Sequence, residues 1–375
     1  MSPDIEWIQD LTIPLNSTLR WFAISKKKRS PVKVSSFALG DNMTPFFHEL
    51  QILAASRLKA LFLLLLASTL GLSSAHADYP DHAIKMVVPY PAGGATDVVA
   101  RAVALKLGDR LKQPVVIENR GGASGQIGAD YVAKSAPDGY TVLFTAADTH
   151  SINPYVYPKI SYDAKKDFSP IAEVGILQMT LVVSPNIKAK NVQEFITLAH
   201  QQAGKMSYAS YGTGSSSHVA MAMLNVSEKL DILHVPFQGA APAIAAVMAG
   251  QVDAMMVPLT LAYPNHQAGK VRLLGVAAPS RFVSAPDMPT FTEQGYPINA
   301  TPWLGILGPA KMSASTIEKL NQEVNAVCQD PQIVELLVRN GLAVETKNVT
   351  QFKAYLDADS ERWGATIRAA NIKAE

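Results

Sequence analysis

From Asp78 onward, short apolar runs alternate with longer segments in which apolar residues recur at helical spacing. The runs predict strands over Ile84–Tyr90, Pro114–Glu118, Thr141–Thr145, Leu181–Ser184, Met206–Ser210, Ile232–Phe237, Ala254–Val257, Val271–Ala277 and Trp303–Leu307. The longer segments predict helices over Thr96–Leu111, Val192–Gln202, Ala241–Ala249, Ser315–Cys328, Gln332–Asn340 and Val349–Ala370. This alternation is the pattern of an α/β fold whose largely parallel sheets are flanked by helices. Pro137–Tyr140, PDGY, marks a turn ahead of a strand, because Pro presets φ and Asp-Gly supplies the tight reversal.

Two strand-to-helix turns carry candidate chemistry. The first is Tyr90–Asp97, YPAGGATD, where Gly93 and Gly94 end a strand and Ala95, Thr96 and Asp97 open a helix. Glycine allows positive φ and close approach to the backbone, and the unpaired N–H groups of a first turn favour a carboxylate or phosphate. The second, Tyr211–His218, holds Thr213, Gly214, Ser215, Ser216 and His218 ahead of another apolar-faced helix. Neither loop contains Lys or Arg, so recognition has to run through N–H groups, Ser and Thr hydroxyls and water. Two such helix starts suit reversible capture of a small acid, mono- or dicarboxylate.

Charge and composition narrow the classes. The chain has 375 residues and a formal charge of +2, but the first 77 residues are basic and the remainder holds 25 Lys/Arg against 26 Asp/Glu. The folded part has no basic footprint for nucleic acid. The lone cysteine, Cys328, cannot form an internal disulfide and falls on the apolar side of a helix, where a core role is expected. Near the N-terminus, Arg57 and Lys59 precede the apolar run Ala60–Leu72, and Ser73–Ala77 ends in an A-x-A pattern. This reads as a signal peptide over 56–77, cleaved after Ala77; the apolar run falls short of the about 20 residues that span a bilayer. Residues 1–55 are expected to be either a stretch ahead of the true start, with translation beginning at or after Met43, or part of a long, unusual export leader.

A set of motifs in fixed order then resembles one family: VVPYPAGGATDVVAR (Val87–Arg101), VVIENRGGASGQIGA (Val115–Ala129), APDGYTVLF (Ala136–Phe144), DFSPIAEVG (Asp167–Gly175), YASYGTGSSSH (Tyr208–His218), HVPFQGAAPAIAAVMAGQVD (His234–Asp253) and PTFTEQGYP (Pro289–Pro297). It is the Bug-type periplasmic solute-binding proteins of tripartite tricarboxylate transporters. The resemblance implies a two-lobed fold of the type II periplasmic-binding-protein kind, with one lobe over 78–180 and 305–375, the other over 181–304, and crossings near Met179–Leu181 and Trp303–Ile306. It implies a cleft lined by Tyr90, Gly93, Gly94, Ala95, Thr96, Asp97, Ala147, Thr149, Tyr211, Thr213, Gly214, Ser215, Ser216, His218, Gln238, Gly239 and Ala240. The expected ligand is a small carboxylate handed to the transporter's membrane subunits by a monomeric periplasmic protein without cofactor or metal. The chain departs from the family pattern at Met256-Val257-Pro258, where many relatives carry an acidic residue, which argues against an amino-acid ligand.

Other readings of the same residues are weaker. His150, His218 and His234 are widely spaced along the chain, without the Cys or HExxH context of a metal site. Ser215–Ser217 with His218 invites an exported hydrolase or isomerase, but no G-x-S-x-G elbow is present. Gly212-Thr213-Gly214 lacks the third glycine of a dinucleotide fingerprint, since Ser217 stands there. A ligand sensor for a membrane signalling partner remains a third alternative.

Overall fold

A computed structural model of the chain describes Tyr79–Lys373 together with Arg57 and Lys59. The expected extension and signal peptide therefore lie, but for those two residues, outside the described residues.

The chain folds as β1 (Ile84–Val88), α1 (Ala95–Leu111), β2 (Val115–Asn119), α2 (Gln126–Ala133), β3 (Thr141–Ala146), a π-helical turn (Asp148–Ile152), α3 (Asn153–Val156), β4 (Phe168–Leu177), β5 (Met179–Val183), α4 (Val192–Gln201), β6 (Ser207–Ser210), α5 (Ser216–Ser227), β7 (Leu233–Pro236), α6 (Ala240–Met248), β8 (Ala254–Pro258), α7 (Leu259–Gln267), β9 (Arg272–Val276), β10 (Trp303–Pro309), α8 (Ala314–Cys328), α9 (Pro331–Arg339), β11 (Leu342–Ala343) and α10 (Val349–Ala369). Helix starts follow local chemistry. Asn191, Ser313 and Asp330 each accept a hydrogen bond from the first turn of α4, α8 and α9. Asn348 and Gln351 form a reciprocal capping box on α10.

Two sheets result, ordered β11-β4-β10-β3-β1-β2 and β7-β6-β8-β5-β9. The expectation of largely parallel sheets holds only for the β3-β1-β2 and β7-β6-β8 parts. β10 runs antiparallel to both β3 and β4, β11 is antiparallel to β4, and β5 is antiparallel to β8 and β9. The reason is connectivity. Strands joined by a helical crossover within one sheet run parallel, whereas β5 and β10 enter their sheets directly from the other one and so run the opposite way. The sequence pattern missed two strands, β4 and β11. β4 spans ten residues and contains Pro170 and Glu173, which interrupt the apolar run, and β11 has only two residues.

The chain passes between sheets twice. Only Gln178 separates β4 from β5; its N–H donates to the Gly341 carbonyl at 3.0 Å and its carbonyl accepts from Leu259 N–H at 2.8 Å. The return passes through 299–302 into β10, and Leu177 N–H donates to the Pro302 carbonyl at 2.7 Å, which ties the two crossings together. Each sheet is covered on both faces by apolar clusters. Cys328 is buried against the first sheet, where burial pushes its thiol up to about 12 and leaves it a core residue.

One buried carboxylate organises the crossing. Asp359, 2% exposed, accepts from the indole N–H of Trp303 at 3.0 Å and of Trp363 at 3.1 Å, and pairs with Arg362. Arg362 in turn donates to the carbonyls of Asn299 and Thr301, and Trp303 also donates to the Ser151 hydroxyl at 3.2 Å. Removing one partner of such a buried set leaves the others unsatisfied. Asp359→Ala is expected to lower the unfolding free energy by about 3 kcal/mol in urea titration; a loss below about 1 kcal/mol would show that the set does not hold the crossing.

Candidate functional site

The space between the two sheets contains a cavity of about 160 Å³. One wall is Ala95, Thr96 and Val99 of α1; a second is Ala146 and Asp148 after β3; a third is Tyr211 and Ser216 at the start of α5. The crossing residues Leu177, Pro302, Trp303 and Leu304 form the floor, with Asn340 and Leu342 beside them. The sequence-predicted residues Ala95, Thr96, Tyr211 and Ser216, far apart in the chain, are thus brought to one cavity.

The first loop is built to leave N–H groups open. Gly93 has φ +81°, a conformation that favours glycine, and its N–H donates to the Asp97 carboxylate at 2.8 Å. Gly94 has φ −73°, so no backbone constraint requires glycine there; a Cβ would meet only the Pro91 carbonyl, at 3.5 Å. Gly94 supplies no capping side chain, and Ala95 and Thr96 follow it into the cavity wall. Asp97, expected at the cleft, is 2% exposed and shapes the loop instead. Its carboxylate faces Gly93 N–H, Arg101 Nε at 2.9 Å and the Asn119 amide at 2.8 Å. Burial opposes ionisation, but the hydrogen bonds from Arg101, Gly93 and Asn119 outweigh it and hold the carboxyl down at about 2. Tyr90, also expected, places its buried hydroxyl near Thr145 and Asp148; burial raises its pKa.

The second loop is satisfied from within. Ser215 caps α5, accepting from His218 N–H at 3.3 Å, and the Tyr211 and Ser216 hydroxyls lie 2.9 Å apart. Gly214, at φ +75°, donates its N–H to His218 Nδ1 at 3.1 Å, and a Cβ there would fall 2.6 Å from the Val156 side chain. Thr213 is exposed at the loop tip. The Ser217 hydroxyl donates to the Met256 carbonyl, so no Ser–His relay forms within the serine run.

The segment after β3 corrects the sequence reading. Ala147 and Thr149, expected at the ligand, are both 0% exposed: Ala147 sits in the core with Val87 and Trp303, and the Thr149 hydroxyl lies between Thr145 at 2.8 Å and His150 Nδ1 at 2.7 Å. The π-helical turn directs Asp148 to the cavity instead. Its carboxyl faces its own N–H and that of Ser216 across the cavity, and burial raises its pKa. Asp148 is absent from the expected residues, although it lies between two of them, Ala147 and Thr149. Gln238, Gly239 and Ala240 do not line this cavity, although Gly239 has φ +107° and opens α6 without a side-chain cap. Met256 and Val257 are fully buried in the second sheet's core, so the departure from the family pattern there falls outside the cavity.

His218 and His234, distant in sequence, stack with ring centroids 3.6 Å apart, and His234 stacks in turn on Tyr208. His234 Nε2 lies 2.7 Å from the Ser210 hydroxyl. Burial depresses His218 to about 3, with His234 adding to the effect, and depresses His234 to about 4.

Sheets joined by two crossings, with helix starts converging on the cavity between them, define the two-lobed class of extracytoplasmic binding receptors. The sequence specifies the group: residues 99–372 match the family described as "Tripartite tricarboxylate transporter family receptor", and the chain belongs to that family. Protein BugT of Bordetella pertussis is 31% identical over 297 residues, covering 79% of this chain and 91% of BugT. A protein of R. palustris solved with adipate is 28% identical with a TM-score of 0.68, covering 79% of this chain and 100% of that one. MatC of Rhodopseudomonas palustris, solved with bound malate, is 31% identical with a TM-score of 0.65, covering 77% of this chain and 100% of that one.

Both histidines bind protons in the unfolded chain near their ordinary value of about 6.5 but not in the native state. At these two sites the unfolded state holds more protons below about pH 6.5, so their contribution to stability falls as pH drops from there toward 4. His218→Gln, which keeps an acceptor for Gly214 N–H, is expected to flatten this fall by up to about 1.4 kcal/mol per pH unit in urea unfolding at pH 7, 6 and 5; an unchanged slope would mean that His218 protonates in the folded state.

Proposed function

We propose that this receptor captures a small carboxylate between its lobes and presents it, as a monomer in the periplasm, to the membrane subunits of a tripartite transporter. The observation that carries the reading is the open start of α1: Gly94 caps nothing, and Ala95 and Thr96 meet the cavity with first-turn N–H groups unclaimed by any side chain. Relatives solved with adipate and with malate support a carboxylate as the ligand class. Tyr90, Gly93 and Gly94 form the ligand-facing loop in this reading, with Tyr211, Thr213, Gly214, Ser215, Ser216 and His218 opposite; Gln238, Gly239 and Ala240 close on the ligand from the second lobe. Asp97, Ala147 and Thr149 act behind them by fixing loop shape. A ligand that binds the closed arrangement better than the open one shifts the population by that difference in affinity, and closure joins surfaces of both lobes for the permease to recognise. No step in this function requires a reacting group, metal or cofactor.

Residues 78–375, unfolded and refolded to strip carried-over ligand, are to be melted against a panel of mono-, di- and tricarboxylates and amino acids. A true ligand at 100 times its Kd adds about 2.7 kcal/mol, a shift of a few degrees; a panel without any shift would overturn the reading. Gly94→Val is expected to fold with its melting point unchanged, because no positive φ is required there, and to lose at least tenfold in affinity by filling the approach to the α1 start. Retained affinity would assign the ligand elsewhere. Mass spectrometry of exported protein is expected to find Asp78 as the first residue, and an intact Met1 peptide would refute cleavage after Ala77.

A further inference from the structure

The cavity is unequal at its two anion-seeking ends. Among the described residues Asp148 is the one carboxylate that lines it, and no Lys, Arg or His does. At the α5 start, the protein itself supplies the acceptors. The Ser215 hydroxyl takes His218 N–H, and the Asp148 carboxyl, reaching from the other lobe, faces Ser216 N–H. At the α1 start nothing comparable is present: Gly94 has no side chain to cap with, and the nearest carboxylate, Asp97, is turned back onto Gly93, Arg101 and Asn119. A ligand with one carboxylate on the α1 start therefore points its far end at Asp148, with Tyr211 and Ser216 beside it. A second carboxylate at that end would meet the Asp148 carboxyl with no Lys, Arg or His among the described lining residues and would have to share its proton, whereas an ammonium or hydroxyl group would find an acceptor.

We propose that Asp148 is a specificity-determining residue that makes the cleft selective for monocarboxylic acids carrying an ammonium or hydroxyl donor at the far end, over dicarboxylates of the same length. This rests on the carboxylate-capture reading and narrows it. It also returns to the cleft, from the turn after β3, the acidic group whose absence at Met256-Val257-Pro258 had argued against an amino-acid ligand.

Calorimetric titration of refolded residues 78–375 with two length-matched series tests the assignment. One series is butyrate, 4-hydroxybutyrate, 4-aminobutyrate and succinate; the other is hexanoate, 6-hydroxyhexanoate, 6-aminohexanoate and adipate. In at least one series a donor-bearing acid is expected to bind tenfold or more tighter than the matching dicarboxylate. In Asp148→Asn, checked for folding by its melting curve, that preference is expected to shrink at least tenfold, chiefly through tighter dicarboxylate binding. Dicarboxylates binding the native protein as tightly as the donor acids would overturn the proposal while leaving carboxylate capture standing. A preference unchanged in Asp148→Asn would do the same. Binding of none of the eight acids would overturn the proposal and leave the capture reading to the wider melting panel, and the native-protein comparison decides the matter even if the variant fails to fold.

Discussion

Everything at the cleft depends on how the Asp359 carboxylate is buried. It is removed from water among Arg362 and Trp363, one turn further along α10, and Trp303 and Ser151, on two other stretches of chain. A buried charge of this kind is tolerated only when its partners are fixed in place, so its presence specifies where β10 begins, how α10 lies and how the 299–301 connection runs. Trp303 is at once a partner of Asp359 and part of the cavity floor. The same set reaches the π-helical turn through Ser151, three residues from Asp148. Core stability and cleft geometry are therefore parts of one hydrogen-bonded arrangement.

The two lobes solve the same problem differently. Both present a glycine-rich strand-to-helix turn, yet in one the turn is stabilised by a carboxylate behind the loop, Asp97, and in the other by a hydroxyl cap and a stacked imidazole in front of it, Ser215 and His218. The consequence is electrostatic. Asp97 satisfies the loop before the helix and leaves the first-turn N–H groups open, whereas Ser215 consumes an N–H of the helix itself. Similar sequence signatures thus leave different numbers of first-turn N–H groups open.

The sequence made the alternation of elements legible because apolar periodicity is a local property, and most strands and helices fall within a residue or two of their expected ends. Both glycine loops were legible for the same reason. Strand direction was not, since it depends on which sheet a strand enters, and β10 looks alike locally whether it runs with or against β3. β4 was hidden because Glu173, 1% exposed, lies in its middle; that residue is explained only by Lys347, 174 positions away, whose ammonium lies 3.0 Å from it. The resemblance marked Ala147 and Thr149 but not Asp148 between them, because a π-helical turn rotates successive side chains differently from the strand before it. The His218–His234 pair was invisible for a related reason: two parallel strands and a helix, not spacing, bring the rings together.

α10 belongs to both cores. Phe352 lies in the cluster with Trp303 and Leu307 on the first sheet, while Trp363 and Ile367 lie with Met179, Phe195 and Met221 on the second. Phe352 and Trp363 are joined by continuous helix, which fixes their separation along the axis at about 1.5 Å per residue. The helix is a strut anchored at both ends, so the lobes are held at a constant distance on the side where it runs. A gape that keeps both anchors is a rotation about that strut, widest at the opposite rim.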